Sequence, residues 1–213
     1  MSKKTFLQTK RNRVSGSGPD RKILPNFHCV GKLNKKIRQE ILEIVDTSKN
    51  INDLYTDNYN ISKFCDLRKQ LPKNHINILL QKPLENTDGM NEKEYLVYDK
   101  FKKNSLLKQF LQNRFPKHYR ARIAILPPNS EINWHIDMNT SVSCRFHILV
   151  KNSNIIFEIN RKGCVDRIPF QESFIYFTNT AYPHRVCNPT NKERISLLFD
   201  IEYNNIKNLL PTI

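Results

Sequence analysis

The chain has 213 residues, 38% hydrophobic and 26% charged, with 35 Lys and Arg against 20 Asp and Glu for a formal net charge of +15. That balance excludes a chain disordered throughout and a collagen-like one, and it leaves room for one generous domain with an appended segment. No uncharged run approaches the ~18 apolar residues of a membrane-spanning helix, so no membrane partner is expected, while the basic surplus favours polyanionic company.

Residues 1–25 carry Lys3, Lys4, Lys10, Arg11, Arg13, Arg21 and Lys22 against Asp20 alone, around the stretch SGSGP at 15–19. They read as a flexible basic tail, either a solvated terminus that aids solubility or an arm that contacts a polyanion such as nucleic acid. The start MSKKTFLQTKRNR has no apolar stretch behind its charges, so a cytoplasmic protein is expected. Five cysteines, Cys29, Cys65, Cys144, Cys164 and Cys187, form no CxxC pair. Free and mostly buried thiols are expected from that pattern.

Residues 34–48 place Ile37, Ile41, Leu42 and Ile44/Val45 at helical spacing between charges, which predicts an amphipathic helix. Residues 50–90 mix Asn, Asp and Pro with short apolar pieces and read as irregular, with one strand at INILL (76–80). A second helix is predicted over about 91–113, where apolar residues from Tyr95 to Leu111 recur at threes and fours and Asn91 with Glu94 supplies helix-start chemistry.

From residue 120 short β-rich runs recur every eight to twelve residues, and eight of them can be counted: 120–126, 131–136, 143–150, 155–160, 164–168, 173–177, 184–187 and 194–202. The pattern predicts a mainly β fold, a double-sheet jelly-roll barrel with the N-terminal helices packed outside one sheet.

Polar side chains inside those runs carry the functional reading. His135 and Asp137 are two apart and share a side if the strand continues to Asp137, and His184 opens a distant run. Two imidazoles and a carboxylate match the facial triad that holds non-haem Fe(II) with open coordination positions. HxD alone arises by chance, and His and Asp at a strand end are commonly just solvated; His28, His75 and His118 show no partner pattern and read as structural. In ERISLLFDI, Arg194, Ser196, Leu198 and Asp200 alternate with Ile195, Leu197, Phe199 and Ile201, which turns Arg194 into a closed barrel. A buried guanidinium needs a carboxylate, either a protein partner such as Asp200 or Glu158 or a bound acid. Arg145 and His147 share a face with Leu149 in the same way.

The ordered combination of RARIAILPPNSEINWHID, RFHILV and PHRVCNPTNKERISLLFDI, over roughly residues 119–202, resembles the aspartyl/asparaginyl β-hydroxylase-like group of Fe(II)/2-oxoglutarate-dependent dioxygenases, which includes bacterial free-proline hydroxylases. The resemblance implies a double-stranded β-helix, cupin-like, as one dioxygenase-like domain over 26–213: an N-terminal helical part at 26–118 and a jelly-roll core at 119–202. It implies His135, Asp137 and His184 as Fe(II) ligands, Arg194 on the distal carboxylate of 2-oxoglutarate, and Arg145 and His147 on that cosubstrate or on a substrate carboxylate. Some animal aspartyl hydroxylases of the group lack the carboxylate ligand, which Asp137 restores here. The implied reaction consumes O2 and 2-oxoglutarate, releases succinate and CO2, and hydroxylates an amino acid, free or within a peptide or protein.

The loops MNTSV (138–142) and TNTAYP (178–183) are the candidate substrate contacts, with Trp134 and Tyr182 as rim aromatics or core residues. Three other readings stand beside this one. A zinc hydrolase lacks any HExxH or cysteine cluster. A non-catalytic jelly roll binding nucleic acid or a ribosomal partner would use the basic surface. A cupin-like isomerase would keep the triad without needing 2-oxoglutarate.

Overall fold

The computed structural model of the chain describes residues 24–49, 72, 74–83, 95–97, 105–137 and 143–210. In chain order the elements begin with β1 (Phe27–Lys32), α1 (Lys35–Lys49), β2 (Ile76–Leu79), β3 (Gln81–Pro83), β4 (Tyr95–Val97) and α2 (Leu106–Arg114). Eight strands follow: β5 (Tyr119–Leu126), β6 (Ser130–His135), β7 (Cys144–Lys151), β8 (Ile156–Arg161), β9 (Cys164–Arg167), β10 (Phe174–Thr178), β11 (His184–Asn188) and β12 (Arg194–Ile201). Each of the eight β-rich runs thus forms a strand.

Two antiparallel sheets build the jelly roll, one in the order β1-β10-β7-β12-β5-β2 and the other β6-β11-β8-β9. The side-chain alternation of β7 and β12 divides the interior into two layers. Phe146, Ile148, Leu197 and Phe199 point outward to a core closed by Ile41 and Val45 of α1 and Leu107 and Leu111 of α2. Leu149 and Tyr176 point inward to meet Phe157, Ile159 and Val186 of the smaller sheet. Aromatic contacts tie the outer layer: the Phe199 ring lies 5.4 Å from Phe146 in a stacked arrangement and 4.8 Å from Phe115. Each such pair contributes about 0.5–1.5 kcal/mol beyond simple burial.

Local chemistry fixes the helices. Asn34 Oδ1 accepts from the Lys36 amide at 2.8 Å at the start of α1. The second predicted helix requires correction. Among its described residues 95–97 form the strand β4, paired with β3, and Leu106–Arg114 form the helix. The start signal is Ser105, whose Oγ accepts from the Lys108 amide at 3.0 Å, while buried Glu40 of α1 accepts from the Leu107 amide at 3.0 Å. Tyr-Leu-Val at 95–97 has strong strand propensity and finds an edge to pair with, which overrides the apolar periodicity. Asn91 and Glu94 lie outside the described residues, as do the basic residues of the tail and most of 50–90.

Strand β1 was not foreseen. It pairs with β10 through a bulge between Cys29 and Gly31, and Gly31 adopts φ +147°, where a Cβ would lie 2.4 Å from Arg114 Nη2. That guanidinium instead reaches across to the Val30 carbonyl at 2.7 Å. The expectation of mostly buried cysteines also fails among the described residues. Cys144 alone is buried, Cys187 is half-buried, and Cys29 and Cys164 are exposed, because the latter two fall on edge strands of the two sheets. No described helix is long and apolar enough to cross a membrane.

Candidate active site

Strands β6 and β11 are neighbours, and their register sets His135 directly opposite His184. The two imidazole centroids lie 4.1 Å apart. Although β6 ends at His135, the next turn is tied down, because the Asp137 amide donates to the Thr180 carbonyl at 2.9 Å. This returns the Asp137 carboxylate to the histidines, 3.5 Å from His184 Nε2 and 4.0 Å from His135 Nε2. One ligand atom from each of the three lies within 4.8 Å of the others.

The backbone also sets the tautomers. His135 Nδ1 lies 2.6 Å from the Asn133 carbonyl and His184 Nδ1 3.0 Å from that of Tyr182. A carbonyl only accepts, so each Nδ1 carries the proton and each Nε2 presents its lone pair to the shared space. Burial and the neighbouring His184 push the His135 pKa down to about 4, so the ring is neutral at physiological pH. Burial raises the Asp137 carboxyl, but the Arg145 guanidinium outweighs it and holds the group well below the usual range. Two imidazole nitrogens and one carboxylate brought together in this way are a donor set suited to a divalent transition metal such as Fe(II).

The inner face of the large sheet supplies the other polar groups. Arg145 donates from Nε and Nη2 to Asp200 at 2.8 and 3.0 Å and from Nη1 to Asp137. Asp200 is fully buried; its burial opposes ionisation, yet Arg145 and Arg120 keep its carboxyl below the usual value. His147 Nδ1 meets Thr178 Oγ1 at 2.7 Å, and Phe157 and Phe170 flank its ring edge-on. Burial, reinforced by Arg194 and Arg145, keeps His147 neutral.

Arg194 is the outlier. It is buried, yet its Nε and Nη2 find no hydrogen-bond partner among the described residues, and neither does Ser196 Oγ two residues along the same face. Both protein partners considered from sequence are engaged elsewhere, Asp200 by Arg145 and Glu158 by Arg185 at 2.6 Å. Burial draws the Arg194 pKa down to about 10, which leaves it charged. An uncompensated buried guanidinium costs on the order of several kcal/mol, so the donors present fit an added carboxylate such as that of a 2-oxo diacid.

All six residues singled out by sequence thus face one interior. Asp200, Thr178 and Ser196 were missed as members; the signal for Asp200 was a lone carboxylate in an apolar strand. The segment 178–182 is buried, and 138–142 lies outside the described residues. Tyr182 belongs to the inner core, and Trp134 is half-buried beneath Arg185, whose guanidinium lies 5.3 Å from its ring.

Fold and site together define a jelly-roll oxygenase of the hydroxylase type. A family profile described as Aspartyl/Asparaginyl beta-hydroxylase matches residues 33–203, and the chain belongs to that family. Membership makes it an enzyme of the hydroxylase type, and the non-catalytic alternative is not favoured. Among solved structures, a prolyl hydroxylase from Trichoplax adhaerens in complex with a hypoxia inducible factor peptide fragment is 12% identical with a TM-score of 0.54, the match covering 86% of each chain. A Pseudomonas putida prolyl-4-hydroxylase is 11% identical with a TM-score of 0.52, over 83% of this chain and 90% of that one. An oxidoreductase of the 2OG-Fe(II) oxygenase family from Burkholderia pseudomallei is 15% identical, covering 65% of this chain and 75% of that one, at a TM-score of 0.46. No curated protein sequence matches significantly.

Proposed function

We propose that the protein hydroxylates an amino acid, free or within a peptide or protein, with 2-oxoglutarate as cosubstrate. The observation that carries this is the group of His135, Asp137 and His184, whose ligand atoms lie within 4.8 Å of one another in a hydroxylase-family fold. Those three residues would hold Fe(II), the imidazoles through Nε2. Arg194 would take the distal carboxylate of 2-oxoglutarate, with Ser196 Oγ beside it as a second donor. When bound together, Fe(II), 2-oxoglutarate and O2 supply the oxidation: the 2-oxo acid loses CO2 and becomes succinate with one oxygen atom, and the other enters a C–H bond as hydroxyl.

The chain's own residues position and insulate. Arg145, fixed by two bonds to Asp200, lies against Asp137 and favours its ionised form at the metal edge. His147, neutral and fixed against Thr178, would contact the cosubstrate without adding charge. Phe157 stacks parallel to His184 with centroids 5.7 Å apart and, with Phe170 and Tyr176, keeps water from that flank. An amino-acid residue as substrate is supported by the family described for residues 33–203 and by the peptide-bound prolyl hydroxylase of similar fold.

The test is an anaerobic titration of the purified protein with Fe(II) and 2-oxoglutarate, following the weak visible charge-transfer band of a chelated 2-oxo acid. The expected outcome is a saturable band lost in Asp137→Ala and weakened in Arg194→Ala. No band in protein shown to be folded would overturn the reading.

A further inference from the structure

The two ends of the barrel carry different parts of the site. At one end β6 finishes and β11 begins, which brings His135, Asp137 and His184 together. Arg194, the first residue of β12, stands at the other end, where it is in register with Leu126, the last residue of β5. Strand β11 joins the two ends. His184 opens it and Asn188 closes it, both on its buried side, and four residues of strand at about 3.3 Å each span roughly 13 Å. An acid held by a metal at one end and by Arg194 at the other needs that span to be fixed.

One side chain ties the Arg194 end to β11. Asn188 is fully buried, and its Nδ2 reaches the carbonyls of Pro127 and Lys192 at 2.8 Å each and that of Leu126 at 3.3 Å. An amide nitrogen carries two hydrogens, so the longer contact shares one of them. Oδ1 accepts from Thr190 Oγ1 at 2.8 Å and from Asn152 Nδ2 and the Thr190 amide at 3.3 Å each. Acceptors on one side and donors on the other leave the amide a single orientation. Asn152 follows β7 at φ +69° and completes the knot, reaching Thr190 Oγ1 at 2.7 Å and the Lys192 carbonyl at 3.1 Å. The grip is therefore on both sides of the arginine's backbone: Lys192 lies two residues before Arg194, and Leu126 is the residue across the ladder from it.

We propose that Asn188 is a positioning residue that fixes Arg194 relative to His184 and so sets the chain length of the 2-oxo diacid the site accepts. The proposal rests on the function proposed above, since it takes Arg194 as the partner of the distal carboxylate. A guanidinium whose backbone is tied to the His184 strand meets that carboxylate in good geometry at one chain length only, and a diacid one carbon longer or shorter arrives too far along or falls short. Without the tie Arg194 keeps its charge but not its fixed place. It then follows the carboxylate, and discrimination by length is lost.

The experiment uses the full chain with Fe(II) under anaerobic conditions and follows the visible band during titration with 2-oxoglutarate, the one-carbon-longer 2-oxoadipate and the one-carbon-shorter oxaloacetate. In the wild type 2-oxoglutarate is expected to half-saturate at least about tenfold below either homologue, the low end of what one methylene decides in a fitted site. In Asn188→Ala that margin is expected to shrink to about threefold or less, mainly through weaker 2-oxoglutarate binding, as when a group that supports a ligand is removed. Fe(II) affinity, read by chelator competition, is expected to stay within about threefold, because His184 Nδ1 keeps the Tyr182 carbonyl and the Asp137 amide keeps that of Thr180. Asn152→Gly removes one arm of the knot at a backbone angle that glycine adopts freely, and it tests the proposal even if Asn188→Ala does not fold; part of the margin is expected to go. Phe199→Leu in the outer layer controls for lost stability alone and is expected to keep the margin. A margin that survives in the knot variants, or that Phe199→Leu loses as well, overturns the proposal, and so does a fall in Fe(II) affinity that matches the fall for 2-oxoglutarate. A wild type that binds all three acids alike also overturns it, while its band upholds the oxygenase reading. No band with any acid sinks that reading and this proposal with it.

Discussion

On its outer face the large sheet places Phe146, Ile148, Leu197 and Phe199 against two helices; on its inner face the same strands, β7 and β12, present Arg145, His147, Arg194, Ser196 and Asp200. Both faces are buried, yet one is satisfied by contact alone, whereas the other retains polar atoms that nothing among the described residues meets. The outer layer is finished by folding. The inner layer keeps buried donors that a bound acid would satisfy, as the proposed function requires.

Adjacent residues on β12 provide the hardest test of that contrast. Phe199→Ala removes a fully buried ring from the outer layer and is expected to cost about 3–5 kcal/mol, a fall of about 10 °C in the melting midpoint for a chain of this size. Asp200→Ala is expected to cost a similar amount for a different reason: it strands the buried Arg145 guanidinium, and breaking such pairs costs about 3–5 kcal/mol. Thermal scans at two pH values and chemical denaturation would measure both, and a harmless Asp200→Ala would break the distinction drawn between the layers.

A smaller effect in energy, but a decisive one for function, is expected of Asp137→Ala. Losing a proposed ligand should weaken Fe(II) binding by at least about 100-fold, the upper end for changes to groups that merely support ligands, while the metal-free protein loses less stability than in Asp200→Ala, because Arg145 keeps its two bonds to Asp200. Competition with a coloured chelator would read the affinity. Arg194→Met should raise the 2-oxoglutarate concentration for half-maximal band intensity about tenfold or more. It should also leave the protein as stable as before or about 1 kcal/mol more stable, because it removes an uncompensated buried charge. A stability loss there would mean that the guanidinium has a protein partner.

The smallest effect concerns pH. Burial, Arg122 and Arg194 lower the His75 pKa from 6.5 to about 4. Between those values the unfolded chain binds a proton that the folded chain refuses, so this contribution is complete above about pH 6.5 and is lost as the pH falls toward 4. Urea midpoints at pH 7 and 5 should differ less in His75→Gln than in the wild type.

Strand alternation made much of the site legible in advance. The polar set of β7 and β12 follows from a period of two once the runs are recognised, whereas Asp137 joins His135 through a turn held by Thr180 rather than through a continued strand. What alternation cannot show is who pairs with whom. Asp200 meets Arg145 across 55 positions of sequence, and no local pattern links them. The start of α2 was misplaced for a related reason: residues 95–97 carry helical spacing but find a strand partner in 81–83. Strand β1 was hidden because a bulge and a glycine at positive φ interrupt its alternation, and only pairing with distant β10 reveals it.

Strand β12 lies between β7 and β5 and contributes alternate residues to each layer. Were its pairing to slip by one position, phenylalanine and leucine would confront His135, Asp137 and His184, and two charged groups, Arg194 and Asp200, would be driven among the helices. Such a chain would lose its chemistry and its cohesion together. A partly misassembled molecule therefore has little chance of surviving as a leaky oxidant, because the error that disarms the site also denies the protein its shelter.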